Sequence, residues 1–247
     1  MKGLKSIELN VTDRCNRKCE FCPHGQGFEW TGYMSIPTAE NIAKQIDNIR
    51  WEGTLSFTGW GEPLMNKDLF NIIDLMPKKC KIRITTNGDI LYKNPKMLES
   101  ILSRDIDIVY VSIYDGKPQY DMFQEAWGQY DNIELRPLEE REPNFTNRGG
   151  SVDIGKKAKG GMCYIPFHKM FIDIDGEVRL CCNDWARTKG YGTDIEKAWN
   201  ALDRIYNGLR CFAPCNNCSV NGTIAGEDSF NEWYHSLFGL NIMGWFH

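Results

Sequence analysis

The sequence lacks several features that would place it in a broad class of protein. Its apolar runs are far shorter than the roughly 18 residues that cross a bilayer, so no membrane span is expected. Lys and Arg number 29 against 33 Asp and Glu, and this balance gives no basic excess that would favour nucleic-acid binding. With 42% apolar and 25% charged residues, a disordered or fibrous chain is excluded. These figures leave a globular protein of 247 residues.

The first residues resemble no secretory signal. Met1 to Lys5 lead directly into the strand-like run Ser6–Val11, which predicts a cytoplasmic protein. Ten cysteines in a cytoplasmic chain of this size favour metal binding over a disulfide framework. Two tight groups, at 15–22 and 211–218, predict two separate sites.

The first part of the chain alternates short apolar runs with longer amphipathic ones. The predicted strands are Ser6–Val11, Thr54–Thr58, Lys81–Thr86, Ile108–Ile113 and Ile133–Leu135. The predicted helices are Thr38–Ile49, Lys67–Leu75, Pro95–Leu102 and Pro118–Ala126. This alternation indicates βαβ units and a parallel sheet. Five strands are too few for a closed barrel, so we expect an α/β fold with a partial, open β/α barrel of TIM type.

The composition changes after Pro137. A polar, glycine-rich stretch to Gly161 reads as a linker or active-site loop. A hairpin is predicted from Met170–Ile174 and Glu177–Leu180, because Asp175-Gly176 is a strong tight-turn dipeptide. A helix over Asp194–Leu209 and a C-terminal helix within Phe230–Phe246 should follow. We therefore expect a barrel domain over residues 1–150 and a small cluster-binding domain over residues 151–247.

The first cysteine group follows the first strand directly. Cys15, Cys19 and Cys22 can hold three irons of a cubane cluster and leave the fourth iron open to a small molecule. Zinc is the plain alternative, but zinc prefers paired cysteines two residues apart, and this triplet fits that pattern poorly.

This triplet resembles the signature of the radical S-adenosylmethionine superfamily, in which an aromatic residue, here Phe21, precedes the third cysteine. The resemblance implies that Cys15, Cys19 and Cys22 hold a 4Fe–4S cluster that binds S-adenosylmethionine. It also implies that electron transfer from this cluster produces a 5′-deoxyadenosyl radical.

Further segments in the same order resemble the cofactor-binding motifs of that family. The turn Thr58–Pro63 is similar to its glycine-rich GGEP motif, with Trp60 between the two glycines, and Thr85–Gly88 is similar to its TTNG segment. All of these segments follow strands, where parallel α/β folds bind ligands. The resemblance implies that the following residues contact the cofactor: Phe21, Gly59, Gly61, Glu62, Pro63, Thr86, Asn87 and Ser112.

The second cysteine group can form a closed site with four thiolates. By spacing alone, Cys163, Cys181, Cys215 and Cys218 suit a structural zinc ion and a fully ligated iron–sulfur cluster about equally. The spacing around Gly176 and the late Cys-x2-Cys pair resemble the Twitch domain, a shortened SPASM domain. That resemblance implies a second 4Fe–4S cluster on these four residues, with Cys211 as an alternative to Cys215 or Cys218.

The reaction implied by these resemblances is a two-electron oxidation. After hydrogen abstraction, a small polar substrate such as a sugar or cyclitol would lose a proton and pass one electron to the second cluster. Arg148 and Arg136 are candidate substrate contacts, and the sequence names no proton acceptor. The resemblance also implies an external electron donor such as flavodoxin or ferredoxin. Two alternatives stay open: radical modification of a ribosomally made peptide, although no leader-binding module precedes the cluster motif, and a non-enzymatic iron–sulfur or zinc protein.

Overall fold

A single mixed sheet organises the protein. The computed structural model describes residues 1–141, 145–222 and 227–239. The strands are β1 Ser6–Leu9, β2 Thr54–Phe57, β3 Lys81–Thr86, β4 Ile108–Ile113, β5 Ile133–Pro137, β6 Lys169–Ile172 and β7 Val178–Arg179. Their order across the sheet is β5-β4-β3-β2-β1-β6-β7. Neighbours from β5 to β6 are parallel, and only the β6–β7 pair is antiparallel.

The helices that connect the strands are short. They are α1 Ile36–Asn48, α2 Leu69–Leu75, α3 Asp89–Lys93, α4 Pro95–Leu102, α5 Gly116–Trp127, α6 Leu138–Arg141, α7 Ile195–Trp199, α8 Arg204–Gly208 and α9 Glu227–Phe238. Ser35 caps α1, because its hydroxyl accepts a hydrogen bond from the backbone N–H of Thr38 at 3.3 Å. No helix in the described part of the chain is long and apolar enough to cross a membrane.

The two faces of the sheet differ in polarity. Positions such as Ile7, Phe57 and Val109 are fully buried in the main apolar core, together with residues of α1 and α2. Successive side chains of a strand point to opposite faces. The alternate positions, including Glu8 and Ser112, therefore lie on the other face, and both line a cavity there.

The predicted α/β class and the open barrel are confirmed. All five predicted strands form, and the sheet ends at β5 and β7 without closing. The predicted hairpin also forms, as β6 and β7. Its first strand pairs in parallel with β1 and so extends the barrel sheet beyond the proposed boundary at residue 150.

Two helix predictions differ from the structure. The helix over Asp194–Leu209 is wrong as a single element, because α7 and α8 are separate and a turn lies between them at residues 200–203. The residues on either side of that turn, Trp199 and Arg204, are both fully inaccessible to solvent. The predicted C-terminal helix is present to Phe238, and residues 240–247 lie outside the described residues.

Candidate active site

A cavity of about 240 Å³ lies at the carboxyl ends of β1 to β4. It brings together most of the residues that sequence motifs single out: Cys15, Cys19, Phe21, Cys22, Gly59, Gly61, Glu62, Thr86, Asn87, Ser112 and Arg148. Pro63 is not part of the wall, but it is buried and begins the short 3₁₀ turn that follows Glu62.

The three cysteines of the first group all face this cavity. Burial raises the pKa of Cys15 to about 11, and burial also raises the pKa values of Cys19 and Cys22. Thiols in such surroundings stay neutral unless a cation is bound, and bound iron would displace their protons. Three thiols on one wall fit a cluster that keeps one iron open towards the cavity.

The loop that carries Cys15, Cys19 and Cys22, here called the cluster loop, is anchored at its centre by Arg17. This guanidinium forms ion pairs with Asp89 at 2.6 Å and Asp115 at 2.8 Å, and it lies over the ring of Tyr114. Asp89 begins α3, and Asp115 precedes α5. The loop between Cys15 and Cys19 is therefore held against the ends of β3 and β4.

A second set of contacts joins the cluster loop to the hairpin. Asn10 Nδ2 donates hydrogen bonds to Asp13 and Asp173, and Arg187 forms ion pairs with the same two carboxylates. Although burial alone would raise it, the pKa of Asp173 is lowered by the hydrogen bonds from Arg187 and Asn10. The Arg187 guanidinium also lies 4.9 Å from the ring centre of Trp60.

Glu62 is buried, and the protein uses both of its carboxylate oxygens. Oε1 accepts hydrogen bonds from Thr86 Oγ1 and the backbone N–H of Leu64, and Oε2 accepts one from the backbone N–H of Asn87 at 2.7 Å. Burial raises the pKa of Glu62 to about 7 despite these donors. A bound ammonium group, such as the amino group of S-adenosylmethionine, would complement this carboxylate.

The two glycines before Glu62 allow the backbone to approach its neighbours closely. Gly59 has φ +139°, and a Cβ there would lie 2.6 Å from Asn10 Oδ1. A Cβ on Gly61 would overlap the carbonyl oxygens of Thr12 and Arg14. This turn therefore packs directly on the segment that leads into the first cysteine.

A second, mostly apolar pocket contains the other predicted ligands. Cys163, Cys181, Cys215 and Cys218 line it together. Cys211 is exposed, outside that lining, and Cys80 is buried in the main core. Burial raises the pKa of Cys215 to about 12. In the described ranges no group of three His, Cys, Asp or Glu side chains could hold a single metal ion. Four thiols around one pocket fit a fully ligated cluster.

Cys181 and Cys182 line different cavities. Cys181 belongs to the second pocket, whereas Cys182 lines the first, beside Glu8. Burial, with a smaller contribution from the Glu8 charge, raises the pKa of Cys182 to about 12. Cys181 lies two residues after β7 ends at Arg179. The two cavities are therefore one residue apart along the chain.

The two candidate arginines occupy different environments. Arg148 lines the first cavity and has φ +48°, an unusual conformation for a residue other than glycine. Arg136 is not in that lining. Its guanidinium lies over the ring of Tyr110 and forms an ion pair with Glu134 at 2.8 Å.

Sequence reasoning missed five residues of the first cavity: Glu8, Arg17, Tyr114, Cys182 and Trp185. Glu8 had a usable signal, because a lone carboxylate between the apolar residues Ile7 and Leu9 marks the polar face of a strand. The sequence holds no such signal for Trp185, because this residue reaches the cavity through packing on Trp60.

Residues 9–134 match the family model described as the Radical SAM superfamily. The chain is 29% identical to the S-adenosyl-L-methionine-dependent 2-deoxy-scyllo-inosamine dehydrogenase of Niallia circulans over 192 residues, 74% of this chain and 76% of that one. It is 25% identical to the GTP 3′,8-cyclase of Desulforamulus reducens over 75% of this chain, but the match spans only 59% of the cyclase.

This chain is also similar to a solved structure. The crystal structure of BtrN in complex with AdoMet and 2-DOIA matches with a TM-score of 0.74 and 24% identity, covering 88% of this chain and 94% of that one. At this identity the likeness establishes a common fold.

Proposed function

Because the chain belongs to the radical S-adenosylmethionine superfamily, we propose that it oxidises a secondary alcohol of a small, polyhydroxylated substrate such as an aminocyclitol. The family implies an enzyme that uses a 4Fe–4S cluster and S-adenosylmethionine. Cys15, Cys19 and Cys22 would hold that cluster, and Glu62 would receive the amino group of the cofactor. When bound, the pair supplies a 5′-deoxyadenosyl radical that removes one hydrogen atom from a substrate carbon.

The neighbouring positions of Cys181 and Cys182 support an oxidation. A substrate radical beside Cys182 becomes a ketone only if it loses both a proton and an electron. Cys163, Cys181, Cys215 and Cys218 line one pocket and would hold a second 4Fe–4S cluster as the electron acceptor. Because all four irons would have a thiolate, this cluster offers no iron to the substrate. Cys181 of the second pocket and Cys182 of the first cavity are adjacent in the chain. This proximity suits direct electron transfer from the first cavity to the second pocket.

The other residues of the first cavity would orient cofactor and substrate. Gly59, Gly61, Thr86, Asn87, Ser112 and Phe21 would contact S-adenosylmethionine. Arg148 would bind a substrate hydroxyl, and Arg136 is a second candidate at a more exposed position. An external one-electron donor such as flavodoxin or ferredoxin would reduce the first cluster. Similarity to a dehydrogenase over three quarters of both chains supports an aminocyclitol as the substrate.

The test uses anaerobically reconstituted, reduced protein with S-adenosylmethionine and 2-deoxy-scyllo-inosamine. We expect 5′-deoxyadenosine and a ketone two mass units lighter than the probe, in about equal amounts. With deuterium on the reacting carbon, one deuteron should appear in 5′-deoxyadenosine. Mass spectrometry follows both products.

Two controls make this test specific. A Cys218→Ala protein that stays folded should still form 5′-deoxyadenosine and release little ketone, because the electron acceptor is lost. A Cys211→Ala protein should behave like the wild type, since Cys211 is exposed. Products of unchanged mass, or turnover of a peptide but of no cyclitol or sugar, would contradict the proposed function.

A further inference from the structure

Three residues that line the first cavity each carry a buried polar atom without a hydrogen-bond partner in the described part of the chain. These atoms are Glu8 Oε2, Arg148 Nε and Trp185 Nε1. A buried group left unsatisfied costs free energy, so three on one wall indicate a bound polar molecule. Two of the three atoms are donors, and only the Glu8 oxygen is an acceptor.

Glu8 occupies the polar face of β1 at 9% exposure. Its other oxygen, Oε1, accepts a hydrogen bond from Lys169 Nζ at 2.7 Å. Ser6 pairs with Lys169 and Glu8 with Phe171, so the Lys169 side chain reaches diagonally across the sheet to Glu8. This ion pair fixes the carboxylate and leaves Oε2 directed at the cavity.

Glu8 and Glu62 are the two carboxylates that line this cavity. Thr86, Leu64 and Asn87 already donate to both oxygens of Glu62, whereas Glu8 keeps one oxygen available. Lys169 from β6 and Cys182 from the segment after β7 lie beside Glu8, and Arg148 from the 3₁₀ turn at 148–150 lines the same cavity.

We propose that Glu8 is the catalytic base that accepts the hydroxyl proton of the substrate radical. This inference rests on the proposed function. Hydrogen abstraction breaks the C–H bond of the alcohol and forms a C–H bond in 5′-deoxyadenosine. The hydroxyl of the resulting ketyl radical is far more acidic than that of the parent alcohol. Its proton passes to Glu8 Oε2, one electron leaves to the acceptor held by the four thiolates, and the C=O bond forms.

Lys169 is a positioning residue in this scheme. Its ammonium group donates to Glu8 Oε1 and keeps the carboxylate in place. Arg148 and Trp185 would hold neighbouring hydroxyls of the ring by donating hydrogen bonds, which orients the reacting hydroxyl towards Glu8.

The test compares reconstituted wild-type protein with Glu8→Gln, using 2-deoxy-scyllo-inosamine as the probe. We expect Glu8→Gln to form 5′-deoxyadenosine within a few-fold of the wild type, whereas ketone formation falls by about 100-fold, the usual size of a general-base contribution. A substrate radical should accumulate in the variant, seen as an organic signal in electron paramagnetic resonance that broadens with ¹³C-labelled probe. Ketone formation by Glu8→Gln should rise with pH as hydroxide replaces the lost base.

Matched variants separate this role from a structural one. Glu232→Gln removes another Glu–Lys ion pair, between Glu232 and Lys5 at 3.0 Å outside the cavity, and should leave both products unchanged. Glu8→Asp keeps a carboxylate and should recover part of the ketone. An unchanged ratio of ketone to 5′-deoxyadenosine in Glu8→Gln would overturn the assignment, as would equal loss of both products in folded protein. A wild-type protein that oxidises neither the probe nor other secondary alcohols would refute the proposed function, and the base with it.

Discussion

Single residues set the distance between the turn at residues 58–63 and the loop that carries Cys15, Cys19 and Cys22. The backbone N–H of Glu62 donates to the carbonyl oxygen of Arg14 at 2.8 Å, so the two segments are in direct backbone contact. Gly61 is the point of closest approach, because its hydrogen faces the carbonyls of Thr12 and Arg14. Any larger side chain must displace the segment that carries Cys15.

We therefore predict that Gly61→Ala impairs the first site selectively. A methyl group would push the cluster loop away from Glu62, and a shift of about 1 Å can lower a rate by about 100-fold. The measurement is 5′-deoxyadenosine formation by reconstituted protein. Gly160→Ala is the matched control, because no atom lies within 4 Å of the added carbon. Equal rates in the two variants would refute this account of the turn.

At the scale of elements, α9 is attached to the start of the chain and to the segment before β6. Phe230 and Trp233 pack on Phe167, and Trp233 Nε1 donates to the carbonyl oxygen of Trp199. His168 Nδ1 lies 3.2 Å from Ser229 Oγ, on the first turn of this helix. Burial, together with the charges of Lys169 and Lys5, lowers the pKa of His168 below its usual 6.5.

This lowered pKa predicts that α9 docks less firmly in acid. The unfolded segment binds a proton more readily than the docked one, so the contribution of His168 is complete above pH 6.5 and is lost as the pH falls through the lowered pKa. Hydrogen–deuterium exchange of α9, corrected for intrinsic rates, should show protection falling between pH 7.5 and 5.5. His168→Gln should weaken that dependence, and an identical pH dependence in both proteins would contradict the prediction.

Local patterns predicted the strands and the hairpin, because the burial of a strand and the geometry of a turn depend on residues that are close together in the sequence. Asp175-Gly176 is an example, since Gly176 has φ +83° at the turn. The pairing of β6 with β1 joins residues about 160 positions apart, and no local pattern encodes such a contact. The helix predicted over Asp194–Leu209 failed for a related reason. The apolar periodicity of this segment suited one helix, but two separate helices, α7 and α8, bury both Trp199 and Arg204.

In the site, too, local patterns predict some residues, and long-range contacts determine others. Cysteine spacing and glycine-rich turns identify cofactor motifs, and the structure places nearly all of those residues on one cavity. Cys182 and Trp185 join them only because the hairpin returns beside β1, whereas Glu8 lies on β1 itself. Their roles depend on which side chains meet across the sheet, and spacing along the chain does not determine that.

At the scale of the whole molecule, one continuous sheet supports both cavities. The first lies at the ends of β1 to β4, and the second is built from segments that flank β6, β7 and α8. Because β6 pairs directly with β1, the two cavities have a fixed relation to each other. This arrangement supports the claim that an oxidising radical site and its electron acceptor occupy one chain.

The most direct test of that claim is the iron and acid-labile sulfide content of the anaerobically reconstituted protein, with zinc measured on the same sample. Three thiols on the first cavity and four on the second predict about eight irons and about eight sulfides per chain, with little zinc. About four irons together with one zinc per chain would contradict the account, because the second pocket would then hold a structural ion that cannot accept an electron.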